Sequence, residues 1–187
     1  MIDPTKFTNF GLSKNRLEEY ILFSIAVAGK NATTTARILE ELLFCHQSST
    51  PFGSIKQFKS ETKLRNRMQK VGFGCYNLKA RGFWWIVNSN IDLKKCTVDE
   101  LEKCPGVGMK TSRFFVMHTR DNNCQVACLD THILKFMRDR GFKNIPKQTP
   151  PRKRYLEIEQ DYLKLCDKEG KHPAHFDLEI WNHYASK

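Results

Sequence analysis

The chain has 187 residues, 40% of them hydrophobic and 13 of them Phe, which is enough for one sizeable core or for two lobes sharing a cleft. Its 31 Lys and Arg against 20 Asp and Glu give a net charge of +11 and a pI near 9.4, pointing to a polyanionic partner with nucleic acid as the first candidate. The longest apolar run, residues 20–29, holds a serine and is too short to span a bilayer, and the N-terminus lacks a charged-then-apolar leader, so neither a membrane protein nor a secreted one is expected.

In chain order the sequence reads as helix after helix with almost no strand. Asn15-Arg-Leu-Glu18 has the form of a capping box, and Leu17, Ile21 and Ser24/Ile25 then recur at helical spacing. Gly29-Lys-Asn31 breaks that helix. The Thr33–Thr35 cluster is expected to cap the next, whose Ile38, Leu42 and Leu43 share a face. Residues 46–52 read as a loop, 61–71 as a basic helix, Gly72-Phe-Gly74 as a break and 77–87 as a helix. Thr97-x-x-Glu100 is a second capping box, opening a short helix, and Met109 to about Thr119 is the helix that follows the Pro-Gly turn. Asp121-Asn-Asn123 reads as a turn and residues 125–129 as a short extended apolar segment. Asp130 then caps a helix to about Arg140. Residues 143–154 form a basic, proline-rich loop, and two helices, about 155–167 and 173–184, complete an all-α chain.

The seven cysteines (45, 75, 96, 104, 124, 128 and 166) are odd in number and have no regular framework, the pattern of reduced thiols in a cytosolic or nuclear setting. Cys124 and Cys128 are four apart, but no nearby His or second pair completes a zinc site. An iron–sulfur cluster needs four thiolates, and only Cys166 lies beyond Cys128. No metal is expected.

The most informative stretch is Leu101-Glu-Lys-Cys-Pro-Gly-Val-Gly-Met-Lys-Thr-Ser112, with Asp130 twenty residues beyond Lys110. Pro-Gly-x-Gly makes a tight turn without side chains between two helices, so a phosphate can approach the backbone N–H groups at the start of the second. The glycine spacing does not match a strand-anchored phosphate loop. One lysine on the second helix and one carboxylate opening a later helix complete the pattern.

Pro105-Gly-Val-Gly-Met-Lys110 with Leu129-Asp-Thr-His-Ile133 resembles the helix-hairpin-helix DNA glycosylase superfamily, and Tyr76-Asn-Leu-Lys-Ala80 and Asn31-Ala-Thr33 are similar to endonuclease III segments. The resemblance covers residues 28–140 well. It implies an all-α, two-lobed fold with a cleft: residues 28–119 as a central lobe ending in the hairpin (97–119), and 1–27 plus 120–187 as a second lobe formed by both termini. Without cluster cysteines the chain moves from typical endonuclease III toward compact 8-oxoguanine glycosylase/AP lyases. Members of that group are similar in ending on Asp-Leu-x-x-Trp and a terminal lysine, as in Phe176-Asp-Leu-Glu-Ile-Trp181 and Lys187. Here the lysine is closer to the tryptophan and the usual Thr-Gly is absent.

The resemblance implies a role for each residue. The Gly106, Val107 and Gly108 backbone holds a DNA phosphate, with a structural monovalent cation at the hairpin carbonyls as an option and no other cofactor. The target nucleotide leaves the duplex for the cleft, because its glycosidic carbon is out of reach while the base is stacked. Cleaving the N-glycosidic bond builds positive charge on the sugar, which Asp130 stabilises, while Lys110 attacks C1′ and forms a Schiff base that permits β-elimination. Attack needs the neutral amine, a form that burial or neighbouring cations such as Lys103 and Arg113 favour. Asn31 is placed to fill the gap left by the extruded base, and Arg113 and Lys79 to contact phosphates. Trp181, Phe83 and His132 are candidates for the base pocket. Taken singly, Asp130 reads as a helix cap, Lys110 as a solvated cation, His118 and His132 as structural histidines and the 83–85 aromatics as core.

The expected activity is excision of a damaged or modified base, 8-oxoguanine first, with strand nicking. The alternatives are an oxidised pyrimidine or a hypermodified phage cytosine as the base, a monofunctional enzyme, or a non-enzymatic hairpin module that only binds DNA. The expected setting is a monomer on double-stranded DNA in the cytoplasm or nucleoid, or in the nucleus of a eukaryote.

Overall fold

The structure, a computed structural model, describes residues 2–46, 48–121 and 125–185. Asn122, Asn123, Cys124 and Lys187, which the sequence reading used for a turn, a thiol pair and the chain's last lysine, lie outside the described residues. After a 3-10 turn at Pro4–Lys6 the chain forms α1 (Lys14–Val27), α2 (Ala32–Phe44), α3 (Pro51–Lys56), α4 (Glu61–Lys70) and α5 (Tyr76–Asn88). There follow α6 (Val98–Leu101), α7 (Met109–Thr119), α8 (Thr131–Asp139), α9 (Arg152–Glu169) and α10 (Pro173–Ala185), with no strand among the described residues.

Side-chain caps start α1, α2, α3, α4, α6 and α8, and three of these starts differ from expectation. Ser13, not Asn15, caps α1 by accepting from Arg16 N, while Asn15 donates to the Ser49 carbonyl at 3.1 Å. Asn31, not the threonine cluster, caps α2 through Thr34 N at 2.9 Å. Residues expected to be loop instead supply α3. Thr50 caps it and Pro51 starts it, while the buried carboxylate of Glu18 on α1 accepts from Phe52 N at 3.0 Å.

α1 is buried around most of its circumference, with Leu17, Tyr20, Ile21, Leu22, Phe23, Ile25 and Ala26 in the core, as expected of an interior helix. It packs against α2, α3, α5 and α7, while α10 packs against α7, α8 and α9. Buried side chains from Ile2 to Ile180 form one continuous hydrophobic cluster. Phe83 belongs to it, fully buried and edge-on to Phe73 at 6.1 Å, so it is a packing residue and not part of a base pocket. The helical phase accounts for this: within Phe83-Trp84-Trp85 only Phe83 shares the inner face with Ala80 and Val87.

Candidate active site

The hairpin begins with the Thr97 capping box: Thr97 Oγ1 accepts from Glu100 N at 3.2 Å, and Glu100 returns a carboxylate to Thr97 N at 2.7 Å. After α6 the turn is held by Cys104 N to Leu101 O and Val107 N to Cys104 O, both 3.0 Å. Gly106 is required twice over. Its φ is +82°, and a Cβ there would sit 2.9 Å from Leu78 Cγ. Gly108 has an ordinary extended φ of −104°. No side chain among the described residues caps the start of α7, and the space that a Gly108 side chain would take is empty. Val107 turns its side chain into the core, so only its backbone is available to a ligand.

Lys110 stands in the first turn of α7, half-buried, and Asp130 is the N-cap of α8. Both line one cavity of about 550 Å³, together with Asn31, His132 and Trp181. Asp130 Oδ1 accepts from His132 N at 2.8 Å and Ile133 N at 2.9 Å, which fixes the carboxylate and leaves Oδ2 without a partner among the described residues. A fixed anion and an amine lining one partly enclosed cavity are suited to stabilise developing positive charge while the amine attacks.

The cavity also gathers groups to which the sequence assigned no part in the site. His118 Nε2 lies 3.2 Å from Asp177 Oδ2, and its Nδ1 lies 2.8 Å from Thr8 Oγ1. Burial raises the Asp177 carboxyl above the usual carboxylate range, and the His118 hydrogen bond opposes the rise. Burial likewise pushes the Cys128 thiol well up, so this cavity-lining cysteine is a protonated thiol and not a nucleophile. The readable trace of Asp177 was its spacing: Asp177 and Trp181 are one turn apart on α10 and both face the cavity. His132 lies with its ring 6.3 Å from that of Tyr184, another lining residue.

Two expected phosphate contacts are elsewhere. Arg113 is 3% exposed and donates through Nε to Glu159 and through Nη1 to Glu102, both at 2.8 Å, so its charge is spent inside the protein. Lys79 is also buried and donates to the Ala26 carbonyl, bordering a second cavity of about 230 Å³ behind Lys30 and Asn31. Asn31 remains exposed at the cavity rim, its side-chain oxygen engaged as the α2 cap.

Burial lowers the Lys79 pKa from 10.5 to about 8. A lysine with a depressed folded pKa makes the unfolded chain bind more protons between those values, so stability rises as pH climbs from about 8 toward 10.5. Below about pH 8 the burial penalty is constant. The buried thiols Cys104, Cys128 and Cys166, raised by burial, pull the absolute curve downward above about pH 9, so the check is a difference. In urea denaturation the unfolding free energy of wild type minus that of Lys79→Met is expected to rise across this range.

A glycine hairpin, a lysine on its second helix and a capped aspartate across a shared cavity, all on a helical scaffold, define a helix-hairpin-helix glycosylase fold. The chain belongs to the 8-oxoguanine DNA glycosylase family, whose profile matches residues 5–171. Among curated relatives, an 8-oxoguanine DNA glycosylase/AP lyase of a Thermotoga species is 36% identical over 77 residues, and that of Thermotoga maritima is 35% identical over the same length. The stretch is 41% of this chain and 36% of each relative, so the match spans little more than a third of their length. The fold is similar to the crystal structure of the Thermotoga maritima 8-oxoguanine DNA glycosylase, with a TM-score of 0.71 and 23% identity, over 94% of this chain and 82% of that one. It is similar as well to the Methanocaldococcus jannaschii 8-oxoguanine glycosylase/lyase in complex with DNA containing 8-oxoguanine, with a TM-score of 0.73 and 21% identity, over 98% and 88% of the two chains.

Proposed function

We propose that this chain is a bifunctional DNA glycosylase/AP lyase that excises 8-oxoguanine from double-stranded DNA. The observation that carries the reading is the meeting of Lys110 and Asp130 in one cavity beside an uncapped hairpin helix. Family membership and the named activities of the relatives support the choice of base. The hairpin N–H groups take a phosphate of the damaged strand and the base enters the cavity, where Trp181 offers a flat apolar face. Lys110 Nζ bonds to C1′ as the C1′–base bond breaks, with Asp130 Oδ2 facing the positive charge on the sugar. Loss of the amine proton and opening of the ring give an iminium. Its acidified C2′ proton leaves, and the 3′ phosphate departs by β-elimination.

The protein acts in this reading as a monomer, in the nucleoid or nucleus, with its central and terminal segments forming the two walls of the cleft. No helix among the described residues is long and apolar enough to cross a membrane. No organic cofactor takes part. A structural monovalent cation at the hairpin's backbone carbonyls is compatible with this reading and takes no part in the chemistry.

The test is a borohydride panel on duplexes carrying 8-oxoguanine, an oxidised pyrimidine, uracil or glucosylated hydroxymethylcytosine. A trapped adduct and a nicked strand with 8-oxoguanine alone support the reading. Another preferred base replaces the substrate, and no release from any duplex leaves a DNA-binding module.

A further inference from the structure

Lys110 and Asp130 come from different elements. One is in the first turn of α7, and the other follows the irregular segment 125–129, which no strand pairs. The buried backbone groups of such a segment need partners. They find them on α9. Glu159 Oε1 accepts from Ala127 N at 2.8 Å and, with the same oxygen, from Arg113 Nε at 2.8 Å. Arg113 lies three residues after Lys110, and Ala127 three residues before Asp130. Tyr155, one turn earlier on the same face of α9, donates from its hydroxyl to Ala127 O at 2.8 Å and accepts from Leu129 N at 2.9 Å. The Arg113 guanidinium sits 5.2 Å over the Tyr155 ring and reaches Glu102, the residue that ends α6, at 2.8 Å. Glu159, Arg113 and Tyr155 are all buried.

We infer that Glu159 and Tyr155 are positioning residues that set the geometry of Lys110 against Asp130, with α9 as the common reference for both. The inference rests on the reading of those two residues as the reacting pair. A buried ion pair can be replaced by apolar side chains without loss of stability, so its presence alone does not argue for a stabilising role. Its placement, a few residues from each reacting group, argues for fixed distance. Displacement of a reacting group by about 1 Å is enough to lose roughly a hundredfold in rate.

The two half-reactions separate this role from general support. Base release needs Lys110 and Asp130 together, whereas a preformed abasic aldehyde needs only the amine to form its Schiff base. Glu159→Gln can keep its oxygen between Ala127 and Arg113 and removes the charge that holds the buried guanidinium. Tyr155→Phe removes only the hydroxyl and keeps the ring. In each variant base release is expected to fall roughly ten- to a hundredfold, with DNA binding unchanged and borohydride trapping on abasic DNA reduced less than about threefold. Equal losses in both half-reactions, or none in either, overturn the inference. If Glu159→Gln does not fold, Tyr155→Phe decides.

A second readout needs no substrate. In the free protein, amide hydrogen exchange at Ala127 and Leu129 is expected to quicken in Tyr155→Phe while α1 and α7 stay protected, and unchanged exchange there overturns the inference. A wild-type protein that releases no base, yet shows this local loosening, locates the failure in the proposed function.

Discussion

Lys110→Gln is expected to abolish the borohydride-trapped complex on every substrate and to slow base release by about a thousandfold or more, the scale seen when a covalent nucleophile is removed. Glutamine matches most of the lysine's length but offers an amide nitrogen whose lone pair is delocalised, so no carbon–nitrogen bond forms at C1′. The side chain is half-buried at the cavity wall and has no hydrogen-bond partner among the described residues, so stability should stay within about 0.5 kcal/mol of wild type. Thermal melting and salt-dependent binding to undamaged duplex are the controls. Base release at near wild-type rate without an adduct identifies a monofunctional enzyme that activates water and uses Lys110 only for position.

What could be read from the sequence was local. Thr97 and Glu100 satisfy one another across three residues, and Asp130 satisfies the two N–H groups that follow it. The hairpin glycines are legible for the same reason, since Gly106 needs a positive φ that its own neighbours announce. α3 was missed although Thr50 before Pro51 is a local start signal, because the helix is only six residues long and its start is completed by Glu18, 34 residues earlier. Arg113 and Lys79 were misplaced by the same blindness. A basic side chain in an amphipathic stretch gives no sign of whether it meets water or a buried acceptor, and the partners of Arg113 are 11 and 46 residues away. The spacing of Asp177 and Trp181 puts them on one face of α10, but that this face meets His118 and Cys128 at the reacting pair depends on α10 packing against α7 and α8, a long-range contact.

That locality shapes the expected behaviour of Asp130→Asn, which separates the two functions carried by one side chain. Asparagine caps a helix about as well as aspartate, so its Oδ1 can accept from His132 N and Ile133 N as the carboxylate does, and α8 should keep its start and its stability. Only the charge is lost. Base release should then fall by about a hundred- to a thousandfold, or roughly 2.7–4 kcal/mol of transition-state stabilisation, because the sugar's positive charge no longer faces an anion. Trapping on preformed abasic DNA should survive, since Lys110 is intact and no glycosidic bond has to break. Asp130→Ala is the companion variant. It removes charge and cap together, so it should match the loss in base release and add about 1 kcal/mol of destabilisation that Asp130→Asn lacks. A stability loss of that size in Asp130→Ala, with base release unaltered in both, would assign Asp130 to the helix cap alone and remove it from the reaction. Glu159→Gln should reproduce the Asp130→Asn pattern in weaker form, with base release impaired and abasic trapping spared. A positioning residue misplaces the carboxylate, while the asparagine abolishes its charge, and the smaller effect should disappear in the double variant once there is no charge left to aim.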